Sequence, residues 1–163
     1  MRVAGFVPES IVDGPGVRFV VFAQGCPHHC PGCHNPQTWD PEGGRDATVK
    51  EIVRMIKKKL KYIRGITLSG GEPFLQAPEM ILVAKKAREM GLDVVTYTGY
   101  TYEDLQQSEL PGVQELLDVS DILVDGPFLI EQRDISLSYR GSLNQRVIDL
   151  AGTRTNGTLI QIA

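Results

Sequence analysis

A mixed α/β fold with a mainly parallel sheet is predicted by three features of the sequence. Short β-rich runs alternate with helical stretches, in the order strand, helix, strand, helix, strand, helix, strand. Helical crossovers of this kind join parallel strands with a right-handed sense. Each predicted strand is also followed by a polar or glycine-rich segment, and the carboxyl ends of parallel strands meet at one edge. The 163 residues fit one domain, 1–163, with a sizeable core.

The first predicted strand, 17–22, leads directly into a loop rich in cysteine, proline, glycine and histidine. The strand reads VRFVVF and follows a turn at 13–16. The loop contains all three cysteines of the chain, at Cys26, Cys30 and Cys33. Three thiols so close together do not fit a disulfide framework, which needs pairs. We therefore predict a metal site in this loop.

The next two elements are a helix that begins after Thr48 and a strand at 66–68. Thr48 and Glu51 have the spacing of a capping box. The opposite, lysine-rich face at 57–61 is interpreted as a solvated helix face, with a surface for an acidic partner as the alternative. The strand ends in SGGEP. The apolar positions of the helix fall on one face: Val49, Ile52, Val53, Ile56 and Leu60.

The remaining elements follow the same alternation. A second helix is predicted from about Pro78, a favourable residue in a first turn, to Gly91, a favourable C-terminal cap. The other predictions are a strand at 94–98 before Gly99 and Tyr100, a weaker helical region at 102–119, a strand at 122–124 before Asp125-Gly126-Pro127, and two further strands at 146–150 and 159–162.

Composition and charge exclude several function classes. The chain is 42% hydrophobic and 23% charged, as is usual for a globular protein. No apolar run approaches the length of about 20 residues that crosses a membrane, and the start does not have the pattern of a signal peptide. A net charge of −3 argues against a nucleic-acid binder. We expect a cytoplasmic protein without nucleic-acid or membrane partners.

Two metal groups fit the cysteine loop. A structural zinc ion with three thiolates and one imidazole is the first, since all three histidines of the chain lie here. The second is an iron–sulfur cluster. Electron-transfer clusters use four cysteines, so three would leave one iron open for a ligand with its own donor atoms, such as an amino acid with a free amine and carboxylate.

The segment 69–73 extends the second interpretation. Two adjacent glycines allow backbone to approach a ligand closely, and Glu72 adds a negative charge suited to an ammonium group. A Gly-Gly turn before a helix is the simpler explanation of this segment by itself. Next to a loop with three cysteines, at the end of a parallel strand, ligand binding becomes the favoured interpretation.

The spacing Cys26-xxx-Cys30-xx-Cys33, followed by Gly-Gly-Glu-Pro, resembles the radical S-adenosylmethionine family. Within that family, VDGPGVR at 12–18 and NPQTWD at 35–40 are similar to the activases of glycyl-radical enzymes. The resemblance covers about residues 8–150. Two later segments are similar to the activases that serve anaerobic ribonucleoside-triphosphate reductase: DILVDGPF at 121–128 and YRGSLNQR at 139–146.

The resemblance implies a partial, open (β/α) barrel of radical SAM type that binds a [4Fe-4S] cluster and S-adenosyl-L-methionine. One electron from the reduced cluster would cleave the sulfonium into methionine and a 5′-deoxyadenosyl radical, which takes a hydrogen atom from a glycine of the partner. No catalytic residue is implied beyond the two cofactors. The implied cluster ligands are Cys26, Cys30 and Cys33, and the implied cofactor-binding residues are Gly32, Cys33, His34, Gly70, Gly71 and Glu72.

The implied partners are the large catalytic subunit of the reductase and a reducing electron-donor protein. An activase of another glycyl-radical enzyme, such as pyruvate formate-lyase, is one alternative. A radical enzyme for a small molecule is less favoured, because closing its pocket needs more residues than this chain has. A zinc-stabilised binding module without catalysis is the alternative from a different class.

Several residues depart from the family pattern or have two interpretations. Gly32 stands where many relatives have an aromatic residue that meets the adenine, so His34 would have to replace it. A longer activase has an acid where this chain has Thr96-Tyr97-Thr98, which leaves only Asp125 for a cation site. Trp39 is expected to pack the cysteine loop. We expect His28 and His29 to be exposed, or to tune the cluster through nearby charge. Tyr97 and Tyr100 are expected to be half-buried aromatics, and Arg140 and Arg146 to form a surface turn or a ligand contact.

Overall fold

The computed structural model describes residues 1–163 and contains one seven-stranded sheet with the order β3-β1-β2-β4-β5-β6-β7. The four predicted strands form its parallel centre, β2-β4-β5-β6, which confirms the mixed α/β prediction. Antiparallel strands flank this centre on both sides. The strands are β1 Arg2–Ser10, β2 Arg18–Ala23, β3 Arg45–Asp46, β4 Gly65–Gly70, β5 Asp93–Tyr97, β6 Ile122–Asp125 and β7 Arg146–Asp149.

Four of the five α-helices lie between strands, and the fifth follows β7. The first begins where the sequence predicts, because the backbone N–H of Glu51 donates to Thr48 Oγ1 at 3.0 Å. The region 102–119 is two short helices rather than one, since Pro111 and a left-handed Gly112 separate them. No helix combines the length and hydropathy needed to cross a membrane. The helices are α1 Val49–Lys59, α2 Ala77–Glu89, α3 Tyr102–Gln106, α4 Val113–Val119 and α5 Leu150–Asn156.

The C-terminal region differs from the prediction. The strand expected at 146–150 ends one residue early as β7, because Asp149 caps α5 by accepting from Gly152 N at 2.9 Å. The strand expected at 159–162 does not form as a regular strand: its backbone bonds to Val147 and Asp149 of β7 amount to one isolated bridge, between Gln161 and Ile148. β1 has no counterpart in the prediction, because its burial does not alternate along the strand.

The main core lies between one face of the sheet and helices α1, α2 and α4. It is a cluster of 26 buried apolar residues, among them Phe19, Leu68, Met80, Leu116 and Leu123. Burial of one such side chain contributes about 1.5–3 kcal/mol. The parallel strands are therefore fixed from this side, and their carboxyl ends are held at one edge.

The opposite face of the sheet is organised by a fully buried arginine, Arg18. Its guanidinium donates to Thr67 Oγ1 at 2.8 Å and to the carbonyl of Pro15 at 2.8 Å. It also forms an ion pair with Asp93. Gly14 has φ of +131° and presses against the Arg18 side chain, so the glycine-rich turn is folded back over the sheet.

Candidate functional site

A cavity of about 240 Å³ opens at the carboxyl edge of the parallel strands. All four segments that follow the predicted strands contribute to its wall: the cysteine loop, Ser69 to Gly71, Tyr97 to Gly99, and Gly126. The convergence that the alternating pattern predicts is therefore confirmed. The three cysteines line this cavity together with His28, His34 and Asn35.

The three cysteines are half-buried free thiols in a loop with little regular structure. The loop is tightened by a bond from Cys33 N to the carbonyl of Cys30 at 3.0 Å. The backbone N–H of Asn35 donates to Cys33 Sγ at 3.4 Å. Burial raises the pKa of the Cys26 thiol, and the charge of Glu72 adds to the rise, although the nearby His28 backbone N–H lowers it. A thiolate here is favoured when a metal ion compensates its charge.

The cysteine loop is anchored on both sides by backbone hydrogen bonds. Gly25 N donates to the carbonyl of Thr38 at 2.7 Å, and Cys26 N donates to that of Trp39 at 3.1 Å. The side-chain amide of Gln24 donates to the carbonyls of Gln37 and Asp40 at 2.8 and 2.7 Å. Both ends of the loop are thus fixed by protein groups alone.

The two glycines after β4 let that strand end touch the start of the cysteine loop. Gly71 N donates to the carbonyl of Ala23 at 2.8 Å, and Glu72 N donates to that of Gly25 at 2.8 Å. Gly70 has φ of +97°, and a Cβ at either glycine would collide with the backbone of residues 22–25. Their backbone also lines the cavity. The same two glycines therefore contact the cysteine loop and form part of the cavity wall.

Glu72 lies fully buried behind the cavity wall rather than in it. Its carboxylate accepts from Thr98 Oγ1 at 2.9 and 3.1 Å, from Gly99 N at 2.9 Å and from Phe74 N at 3.1 Å. His28 Nε2 is a further partner at 2.7 Å. The carboxylate therefore ties the ends of β4 and β5 to the cysteine loop.

The histidines of the loop do not share one environment. The expectation that His28 is exposed is wrong, because its ring lies against Gly99 and meets the Tyr100 ring edge-on at 4.5 Å. His29 is exposed, as expected, and stacks on Trp39 with ring centroids 4.7 Å apart. Trp39 thus packs within the loop, which the sequence predicts.

The segment 139–146 folds onto the end of β6 and completes the cavity wall. Asn144 Nδ2 donates to the carbonyl of Pro127 at 2.7 Å, and Gln145 Nε2 donates to that of Gly126 at 3.0 Å. Gly141 and Gln145 line the cavity. This segment is therefore part of the site rather than a remote surface turn.

Asp125 is committed to an ion pair and is not a free carboxylate. It is 1% exposed, and its oxygens accept from Arg146 Nε and Nη2 at 3.0 and 2.5 Å. Tyr102 N donates to the same carboxylate at 2.8 Å. Arg146 also pairs with Glu103, and the two carboxylates raise the pKa of its guanidinium.

Sequence reasoning gave no role to Phe128 or to Thr98, and both shape the site. Phe128 lines the cavity, and its ring meets His34 at 5.4 Å. Its position directly after the Gly-Pro pair that follows β6 was an available signal, because that segment is expected at the edge. His34 is exposed, and Gly32 has a left-handed φ of +77°.

Only two buried side-chain nitrogens or oxygens in the chain lack a hydrogen-bond partner, and both lie in segments that border the cavity, although neither residue lines it. They are Trp39 Nε1 and Arg140 Nε. An unsatisfied buried donor costs about 1–3 kcal/mol, and most such groups in proteins have a partner. Two unpartnered donors in the segments that border the cavity are compatible with a bound group that carries acceptor atoms.

The class of protein follows from the fold, the thiols and a comparison with known families. Residues 12–148 match the model of the 4Fe-4S single cluster domain. The chain is 34% identical to the anaerobic ribonucleoside-triphosphate reductase-activating protein of Salmonella typhimurium over 90% of this chain and 97% of that protein. It therefore belongs to the family of these activating proteins. An iron–sulfur cluster, rather than structural zinc, is the group that such a domain carries.

Two other relatives show how wide this similarity is. The chain is 40% identical to the activating protein of the same name from Enterobacteria phage T4, over 86% of this chain and 88% of the phage protein. It is 35% identical to a pyruvate formate-lyase-activating enzyme of Clostridium pasteurianum over 77% of this chain. That match spans only 55% of the clostridial enzyme.

Proposed function

We propose that this protein is an enzyme that activates an anaerobic ribonucleoside-triphosphate reductase by generating a glycyl radical on its large catalytic subunit. The observation that carries the proposal is the convergence of three thiols, the Gly70-Gly71 backbone and the 139–146 segment on one cavity. The names and full-length similarity of the relatives support the choice of partner. A reducing electron-donor protein is the second proposed partner.

Cys26, Cys30 and Cys33 would hold a [4Fe-4S] cluster and leave one iron for the amine and carboxylate of S-adenosyl-L-methionine. When bound, the cluster would supply the one electron needed to cleave the sulfonium into methionine and a 5′-deoxyadenosyl radical, which would take a hydrogen atom from a glycine Cα of the reductase. The chain itself binds, orients and shields these groups.

The methionine part of the cofactor is proposed to lie along Gly70 and Gly71, whose backbone already faces the cavity. Arg140 would bind its carboxylate, because the buried Nε–H has no partner within the protein. Glu72 would favour the positive sulfonium and ammonium through its charge, since its oxygens are occupied by protein donors. The backbone of Gly32, Cys33 and His34 would contact the rest of the cofactor.

The fold suits a protein substrate. The strands at the two ends of the sheet, β3 and β7, do not pair with each other, so the sheet is open, and we propose that it is an incomplete (β/α) barrel within one domain, 1–163. A cavity at an open edge admits a loop of a large partner, whereas a small-molecule enzyme needs a closed pocket.

The test is reductive cleavage followed by radical transfer. The protein is reconstituted anaerobically with iron and sulfide, reduced, and mixed with S-adenosyl-L-methionine, with Cys30→Ala as control. We expect 5′-deoxyadenosine from the wild type alone, and a glycyl radical signal when the reductase is added. A preparation that binds zinc, holds no iron and forms no 5′-deoxyadenosine would refute the proposal.

The clostridial relative supports a second candidate, an activase of a pyruvate formate-lyase. Parallel reactions with the reductase and with pyruvate formate-lyase decide between them. A radical formed only on the lyase would select this second candidate.

A further inference from the structure

Trp39 is the only tryptophan of the chain, and its indole nitrogen has no hydrogen-bond partner in the protein. The side chain is half-buried, but the Nε1 atom itself is buried. A buried N–H without an acceptor is costly, because it has lost its bond to water and gained nothing in exchange. Packing alone would be supplied as well by phenylalanine, so the N–H calls for an acceptor.

The position of Trp39 restricts what that acceptor is. Its carbonyl accepts from Cys26 N at 3.1 Å, which places its backbone beside the first cysteine. Its ring lies parallel to that of His29, with an interplanar angle of 8°, and His29 directly precedes Cys30. The indole is therefore held against the cysteine loop, beside residues that are adjacent in sequence to the first two cysteines.

We propose that Trp39 Nε1–H donates a hydrogen bond to a sulfur of the iron–sulfur cluster. This inference rests on the proposed cluster ligands Cys26, Cys30 and Cys33. Sulfurs of such clusters accept hydrogen bonds from N–H groups, and these bonds help to set the reduction potential. The bond stabilises the reduced cluster, which carries more negative charge, so it raises the potential.

The same kind of bond already exists elsewhere in the loop. Asn35 N donates to Cys33 Sγ at 3.4 Å, so the third thiol has a backbone donor. Trp39 would supply a side-chain donor near the first two thiols. The two donors reach the cysteine loop from different residues of the 35–40 segment, which gives that segment a role in tuning the cluster as well as in packing.

The decisive experiment uses the fact that one tryptophan gives one signal. The protein is produced with tryptophan labelled with ¹⁵N at the indole nitrogen, reconstituted with iron and sulfide, and reduced to its paramagnetic state. Pulsed electron–nuclear spectroscopy then detects ¹⁵N nuclei that are coupled to the cluster. We expect a ¹⁵N coupling in the wild type that is absent from Trp39→Phe. Because the coupling is sought in the wild-type protein, the result does not depend on whether the variant folds.

A redox titration provides the second readout. Trp39→Phe keeps an aromatic ring against His29 and removes the N–H, so we expect a more negative midpoint potential. The control is Tyr62→Phe, which removes a hydroxyl from an exposed side chain beyond α1 and should leave the potential unchanged.

The outcomes separate this inference from the proposed function. A protein that holds a reducible cluster and cleaves S-adenosyl-L-methionine, but shows no ¹⁵N coupling, would overturn the role of Trp39 and leave the function intact. A coupling that appears only after the cofactor is added would assign the N–H to the cofactor and also overturn it. A protein that never binds iron would overturn both.

Discussion

Glu72 and Asp125 are both buried carboxylates at the carboxyl ends of parallel strands, one on each side of β5. Asp125 is paired with Arg146, a permanent cation. Glu72 is held by a hydroxyl, two backbone N–H groups and one histidine, and no lysine or arginine pairs with it. The two carboxylates are similar in burial and place but differ in how their charge is balanced.

The difference separates a residue that serves the fold from one that also serves the site. The charge of Asp125 is cancelled within the protein, so it joins β6 to β7 and has little effect on the cavity. The charge of Glu72 is satisfied by hydrogen bonds without a fixed positive partner. It therefore makes the cavity next to it favourable for a cation.

The largest effect is expected from the glycine next to Glu72. A methyl group in Gly71→Ala would collide with the carbonyl of Gly25, which belongs to the backbone of the cysteine loop. We expect a loss of about 3 kcal/mol in stability and little iron uptake, measured by denaturant unfolding and by iron analysis after reconstitution.

Gly126→Ala is the matched control at the end of β6. A Cβ there has its nearest neighbour at 3.7 Å, so only the positive φ of +98° opposes it. We expect a cost of about 1–2 kcal/mol with full iron uptake. Equal losses of iron in both variants would show that the close contact at Gly71 does not matter.

The second effect concerns the charge of Glu72. Glu72→Gln keeps the shape and removes the charge, which at a separation of several ångström contributes about 2 kcal/mol to the binding of a cation. We expect binding of S-adenosyl-L-methionine to the reconstituted protein to weaken about thirtyfold, measured by equilibrium binding. Unchanged affinity would mean that the carboxylate acts only through its hydrogen bonds.

The third effect concerns Asp125, the buried carboxylate at the end of β6. Asp125→Asn removes the charge that Arg146 pairs with, and we expect a stability loss of about 1.5–3 kcal/mol in denaturant unfolding. The affinity for S-adenosyl-L-methionine should remain that of the wild type. A fall in affinity as large as that of Glu72→Gln would abolish the distinction between the two carboxylates.

The smallest effect is expected at Glu103, the exposed member of the ion-pair network around Arg146. Hydrogen bonds from Arg146 lower the pKa of Glu103, so the pair stabilises the fold above the ordinary pKa of the carboxyl, about 4.3. That contribution is lost as the pH falls through the lowered value. Because Glu103 is exposed, we expect Glu103→Gln to cost less than about 1 kcal/mol at pH 7.

The measurement for Glu103 is unfolding as a function of pH. The difference between wild type and Glu103→Gln should shrink below about pH 4. A difference that grows on acidification would contradict the assigned pair.

The fold was predictable where local pattern and tertiary structure agree. The four parallel strands are short β-rich runs with a polar or glycine-rich segment after each, and Thr48 marks the start of α1. β1 was not predictable, because Gly5 and Pro8 interrupt it and much of it is exposed. The segment 159–162 has the apolar residues of a strand, but its backbone bonds to β7 form only one isolated bridge, to Ile148.

The residues of the site could be predicted from the sequence, but the contacts between them could not. Cysteine and glycine spacing identify the residues at the cavity, since those residue types are rare in such a pattern. Sequence does not show that the Glu72 oxygens are occupied by Thr98 and Gly99, which are distant along the chain. The partnerless nitrogens of Trp39 and Arg140 are likewise visible only in three dimensions.

The anchoring of the cysteine loop has a consequence for survival in air. Backbone bonds to Thr38, Trp39 and Gly71 hold the loop, and the 26-residue core lies elsewhere. We therefore expect the chain to fold without iron, in contrast to small zinc domains that unfold without metal. A molecule stripped of its iron by oxygen would keep its scaffold, so repair would require only fresh iron and sulfide and not a newly made chain.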